Sequence, residues 1–200
     1  MVILINDISE EIYEKNKHLL CTKPEETIKA TQLMSESVTQ LENHATSKDD
    51  YKYVGEYPYY NLLFYKKKHQ GHTKVDKFQY KIRKIVRVYN PNLVMIQQRF
   101  KSWGLERQKY FYALATKVEI SKDKAIIAMN SANINDRHPS KKEYKNTIIE
   151  NKNLFKTDID SEDYIKQGKL KKTFLNLAGY IIEKKDKHID INYIEGDSCI

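Results

Sequence analysis

Residues Tyr110 to Ser131 read YFYALATKVEISKDKAIIAMNS, and this stretch decides the fold. Two runs rich in Tyr, Val, Ile and Ala, Tyr110 to Ile120 and Lys124 to Ser131, flank the polar triplet Ser121-Lys122-Asp123. β-Branched and aromatic residues suit a pleated, half-buried surface, so the pattern predicts a long antiparallel hairpin. Side chains alternate across a strand, which puts Tyr110, Tyr112, Leu114, Val118 and Ile120 on one face. A second hairpin follows from Leu170 to Glu183 and His188 to Ile194, around Lys184-Lys185-Asp186-Lys187. There Phe174, Ala178, Tyr180 and Ile182 share a face.

Upstream, Leu93 to Phe100 reads as a strand after a turn at Asn90-Pro91-Asn92, and Lys81 to Val88 as the strand before it. Tyr51 to Val54 and Asn61 to Tyr65 read as strands around a turn at Glu56-Tyr57-Pro58. Before Asp50 the period is helical. Ala30, Met34, Val38, Leu41 and Ala45 recur at steps of four and three, the apolar stripe of a helix of about 20 residues. Thr22-Lys23-Pro24-Glu25 predicts its start, with Thr22 as cap, Pro24 in the first turn and Glu25 completing a capping box. Asn133 to Gly168 is polar, with a turn at Pro139 to Lys142 and an acidic run from Asp158 to Asp163. It is expected to be a long connection with a short helix near Ser161 to Gln167; connections of this length are usually functional or mobile. The expected class is α+β: an N-terminal helix and then a curved antiparallel sheet of roughly eight strands, one face of which needs a second helix or encloses a cavity.

Composition narrows the function classes. The chain has 200 residues, 40% of them hydrophobic and 11% aromatic, with 35 Lys and Arg against 27 Asp and Glu for a net charge of +8. No stretch approaches the roughly 18 apolar residues of a spanning helix, and aromatics are too plentiful for a wholly disordered chain. A basic surplus favours anionic partners: nucleic acid, phospholipid headgroups or acidic proteins. The cations are mostly lysines scattered along the chain, poorer than Arg at bidentate recognition. Cys21 and Cys199 lack CxxC spacing and cannot make a disulfide scaffold; both are expected to be free. His69 and His72 lie in a Lys-rich turn without a partner carboxylate or thiol, and Asp158, Asp160 and Asp163 lack the Gly and Glu of a calcium loop. No GxSxG, GxxxxGK[ST] or GxGxxG occurs, so no catalytic residue, metal or cofactor is expected and the chain is not read as an enzyme. The fifteen tyrosines are core residues with wet tips or the lining of a pocket for an amphiphile, whose quaternary ammonium group such rings would attract. A Tyr-rich basic sheet could also stack single-stranded nucleic acid.

Longer blocks carry a more specific signal. Ile85-Val86-Arg87-Val88-Tyr89-Asn90-Pro91-Asn92-Leu93-Val94-Met95-Ile96-Gln97-Gln98, Phe111 to Ser121, Ser131 to Asp136, Pro139 to Lys142 with Glu150-Asn151, Phe155 to Asp160, and Asn176 to Tyr180 resemble the fam-a (Pyst-a) proteins of rodent malaria parasites. The N-terminal helix with His44-Ala45-Thr46 fits as well. That family resembles START-related lipid-transfer domains. The resemblance implies a helix-grip fold, a curved antiparallel sheet round a long C-terminal helix that encloses a tunnel for one lipid. It implies binding and transfer of phospholipid, phosphatidylcholine being the usual suggestion, with transient contact at a membrane surface, by proteins exported into the host red cell. Residues 1–21 are then an N-terminal extension and 22–200 a START-like lipid-binding domain. Three departures stand out: Met1 to Ile5 supplies no signal peptide, His72 to Lys84 runs almost directly between strands, and the chain stops at Cys199-Ile200, where the family continues into the closing helix. Without that helix a broad apolar face is expected to be exposed. No ligand contact transfers from the family. Alternation and polarity nominate Trp103, Tyr110, Tyr112 and Tyr180 as rings near a headgroup, and Arg99 for its phosphate. The alternatives are an exported protein-interaction module with a vestigial cavity and, less favoured, a nucleic-acid binder.

Overall fold

A computed structural model describes residues 10–46, 52–57, 62–66, 81–100, 107–140, 146, 148–149 and 155–198. A short helix, α1 (Glu10–Lys15), and a 3₁₀ turn (Lys17–Leu19) lead into α2 (Pro24–Thr46). Pro24 occupies the first helical position, where its missing N–H costs nothing. The carbonyl of Lys23, not Thr22, accepts the Thr27 N–H at 3.2 Å and so marks the cap. Thr22 lies one residue too early for the capping box with Glu25. The predicted stripe is buried from Ala30 through Met34 and Val38 to Leu41, with Leu33 and Ser37 added, while Ala45 is only partly buried.

The strands are β1 (Lys52–Tyr57), β2 (Leu62–Lys66), β3 (Lys81–Asn90), β4 (Leu93–Phe100), β5 (Lys109–Ser121), β6 (Lys124–Asn130), β7 (Asn133–Asn135), β8 (Lys156–Asp158), β9 (Lys171–Lys172), β10 (Phe174–Lys184) and β11 (Ile189–Ser198), with α3 (Asp163–Lys166) between β8 and β9. The main sheet runs β11-β10-β6-β5-β4-β3 and is antiparallel along that path; β9 adds a short parallel pairing to β5. β1 pairs with β2, and β7 with β8, as separate two-stranded units. The α+β class and the N-terminal helix are as the sequence predicts.

Register fixes the two faces of the sheet. Met95, Leu114 and Asn130 are successive partners, as are Thr116, Ala128 and Gly179; these side chains point toward α2. Val94, Ala115, Met129 and Ala178 are partners on the far face. The helix face buries α2 against Tyr110, Tyr112, Leu114, Ala128, Leu177 and Ile181. Gly179 lets α2 approach: a Cβ there would lie 2.5 Å from Leu41 Cδ2 and 2.1 Å from the Ile127 carbonyl oxygen.

The connection from Asn133 to Gly168 carries the short helix expected near Ser161 to Gln167, as α3, but it is more than a surface loop. It sends Ile134, Ile149, Phe155, Ile159 and Ile165 into the same core as α2. Its polar composition hid single apolar anchors set between solvated residues, a pattern with no helical or strand period. The described residues of the segment and α2 together pack on the helix face.

The chain before α2 wraps the opposite edge. Tyr13 and Leu19 pack on the far-face cluster of Val88, Val94, Ile96, Phe100 and Phe111. Leu20 bridges Val88 in parallel, and the Cys21 N–H donates to the Val88 carbonyl at 2.7 Å, which occupies the β3 edge at that residue.

Candidate functional site

Arg99, Tyr110 and Tyr112 come together, on the helix face. Arg99 is the register partner of Tyr110, and Gln97 of Tyr112. Tyr110 is fully buried and its hydroxyl donates to Asp136 Oδ2 at 2.7 Å. Burial, and then the neighbouring carboxylate, push its phenol far above the ordinary range. Asp136 also receives Lys172 Nζ at 2.7 Å. The Tyr112 hydroxyl lies 3.0 Å from Ser161 Oγ and accepts from Gln97 Nε2 at 2.8 Å. Burial raises its pKa although both bonds act the other way. The Arg99 guanidinium pairs with Glu162 and sits 4.5 Å above the Tyr164 ring. Glu162 receives Lys84 as well, at 2.7 Å. Burial alone would raise the Glu162 carboxyl, but the bonds from Lys84 and Gln97 and the nearby cations hold it below the usual range. These polar tips are committed to one another and to the connection that covers them.

Tyr180 is elsewhere. It is the partner of Ile127 and Tyr193, on the far face, and its ring stacks on that of Tyr193 at 4.8 Å and 30°. Trp103 lies outside the described residues. The five nominated side chains therefore do not form one site.

The far face holds a cation that the sequence reading passed over. Arg83, on β3, is half-buried there with Ile85. Its Nε and Nη2 both donate to Gln98 Oε1, at 2.8 and 2.5 Å. Burial works against its charge, and the oxygens of Tyr180 and Tyr193 partly favour it.

Arg83 differs from the other partly buried cations in its partner. Arg87 meets Glu26 at 2.6 Å, Arg99 meets Glu162, Lys124 meets Glu42 at 2.5 Å and Lys172 meets Asp136. Among the described residues, Arg83 has a neutral amide and no carboxylate. The far face is apolar around it, from Ile96, Phe111 and Ala113 at the buried centre to Ile191 and Tyr193 at the open end. The missed signal is alternation: in Lys81-Ile82-Arg83-Lys84-Ile85, Arg83 shares a side with Ile85, and only the pairing with β4 tells which face of the sheet that side joins.

A second feature is a cleft of about 440 Å³ at the start of α2, lined by its first turn with Lys29, Lys156, Thr157 and Asp158. Behind it Arg87, Tyr89 and Thr157 converge on or around Glu26. Burial would raise the Glu26 carboxyl, but the bonds from Arg87, Thr157 and Tyr89 outweigh it and hold it low. Acidic and basic groups are mixed around this cleft, so it favours neither ion sign. Among the described residues, no group of three His, Cys, Asp or Glu side chains is placed to hold a metal ion, and no helix is long and apolar enough to cross a membrane.

No family model matches the chain, and no curated protein matches it. Among solved structures, the chain is similar to the crystal structure of human STARD10, at 13% identity and a TM-score of 0.35. The likeness covers 58% of this chain and 36% of that one, so the chain spans about a third of the solved protein's length. At that level neither fold nor ligand transfers from it to this chain.

Proposed function

We propose that the far face of the sheet binds a lipid, its acyl chains on the apolar floor and its headgroup phosphate on Arg83. The observation that carries this reading is a half-buried guanidinium on an apolar face, held by a neutral amide where its counterparts have carboxylates. A phosphate would supply the missing charge, and Arg offers it two parallel N–H donors. Each methylene taken from water would contribute about 0.8 kcal/mol. The stacked Tyr180 and Tyr193 rings suit a quaternary ammonium group beside that phosphate, which favours phosphatidylcholine. The sequence blocks resembling fam-a proteins support the finer reading: a START-like helix-grip domain that carries phospholipid between membranes after export to the host red cell. Arg99, nominated from the sequence for this phosphate, is already paired with Glu162.

The test is the lipid retained by purified protein, measured by mass spectrometry, together with transfer between phosphatidylcholine liposomes. Arg83→Gln is expected to lose most of the bound phospholipid while keeping its circular dichroism. Arg99→Gln is expected to lower stability without emptying the site. Well-folded wild-type protein with neither bound lipid nor transfer activity would reject the proposal in favour of a protein-interaction module.

A further inference from the structure

We infer that Gln98 sets which lipids the far face accepts: its neutral amide leaves Arg83 one positive charge to be matched, so a headgroup with one phosphodiester is selected over an uncharged lipid or a phosphomonoester. Resting on the lipid reading above, this makes Gln98 the specificity-determining residue of that site.

The two faces of β4 can be compared directly. On the helix face Gln97 and Arg99 meet, the Arg99 Nε donating to Gln97 Oε1 at 3.3 Å. Glu162 completes that set: it takes the Arg99 guanidinium and also the Gln97 Nε2, the latter at 3.2 Å. The anion there accepts from both the guanidinium and the glutamine amide. On the far face Gln98 and Arg83 repeat the first half of this arrangement, with Arg83 Nε and Nη2 both donating to Gln98 Oε1. Among the described residues, no carboxylate completes it. A ligand phosphate would stand to Arg83 and Gln98 as Glu162 stands to Arg99 and Gln97.

Burial makes the choice of residue at Gln98 consequential. Its side chain is 3% exposed. It lies opposite Phe111 on β5 and shares its side of β4 with Ile96 and Phe100. A carboxylate in this place would pair with Arg83 as an ion and leave no charge for a ligand to match. The amide holds the guanidinium without neutralising it. Of the five N–H donors in the rigid fork, the two given to Gln98 leave the Nη1–Nη2 edge to a phosphate. One guanidinium matches one negative charge. A phosphodiester brings one, a phosphomonoester about −1.5 to −2 and diacylglycerol none. Either mismatch leaves charge uncompensated on an apolar face, which is costly.

The test is competitive loading. The full chain is incubated with phosphatidylcholine vesicles carrying minor fractions of phosphatidate and diacylglycerol, re-isolated, and its retained lipids are measured by mass spectrometry against the vesicle composition. The wild type is expected to be enriched in phosphatidylcholine over both competitors. Gln98→Glu keeps the side-chain shape and adds a charge. It is expected to move the phosphatidylcholine-to-diacylglycerol ratio toward diacylglycerol by about tenfold or more, the worth of a charge-assisted hydrogen bond, with unchanged circular dichroism. Arg83→Met combined with Gln98→Leu removes both polar groups and serves if Gln98→Glu does not fold; it is expected to lose the preference for phosphatidylcholine. A wild type enriched in either competitor, or a wild-type ratio unchanged in folded Gln98→Glu or in the double variant, would overturn the role of Gln98 and leave lipid binding standing. A wild type that retains none of the three lipids would overturn lipid binding, and the role of Gln98 with it.

Discussion

Gly179→Ala tests whether α2 seals the helix face as closely as described. In a strand with room, alanine would be the better residue, because glycine loses more freedom on folding and has no side chain to pack. Here the added methyl would meet the Ile127 carbonyl oxygen at 2.1 Å, Leu41 Cδ2 at 2.5 Å and the Ala128 Cα at 3.2 Å. Leu41 can turn away, but the Ile127 oxygen belongs to the β6 backbone and cannot move without loosening the β10–β6 ladder. Overpacking of this kind costs about 1–3 kcal/mol, and a backbone contact belongs at the upper end, about 3 kcal/mol. With a urea slope near 3 kcal/mol per molar for a chain of this size, the unfolding midpoint should fall by about 1 M. Leu41→Ala should cost about 2–5 kcal/mol alone by opening a cavity. The double variant should then be less destabilised than the two losses added, because the new methyl fills part of the space. A midpoint for Gly179→Ala within about 0.2 M of wild type would mean that β6 does not approach Gly179 this closely, and strict additivity in the cycle would mean that Leu41 of the helix does not lie against it.

Glu26 gives a pH prediction. Its carboxyl titrates below the ordinary value when folded. Its stabilisation is therefore complete above the unfolded-state pKa and is lost as pH falls through the folded one. Glu26→Gln should cost about 2 kcal/mol at neutral pH, less than for a fully buried pair because Arg87 still meets water, and should flatten the loss of stability seen in acid titrations by denaturant melts. Tyr110→Phe should cost about 1–2 kcal/mol by leaving the buried Asp136 with one partner fewer; thermal melts at neutral pH check it. Phe155→Ala should cost about 3–5 kcal/mol if the connection before α3 is core, and almost nothing by calorimetry if it is a surface loop.

The sequence by itself determined the local elements. The stripe from Ala30 to Leu41 gives α2, the alternating Tyr, Ile and Val runs give β3 to β6, β10 and β11, and Asn90-Pro91-Asn92 gives a tight turn; all depend on neighbours a few residues apart. What the sequence could not determine is which rows share a face. Tyr110 and Tyr180 each belong to a clear alternating row, yet pairing of β10 with β6 and of β6 with β5 turns the first toward α2 and the second onto the far face. A slip of one residue in either pairing would reverse the result, and nothing local to either strand records it. The difference between Arg99 and Arg83 has the same origin. Their chemistry is identical, and only the distant arrival of Glu162, brought in by a connection whose apolar anchors have no period, gives one a carboxylate and leaves the other with the Gln98 amide.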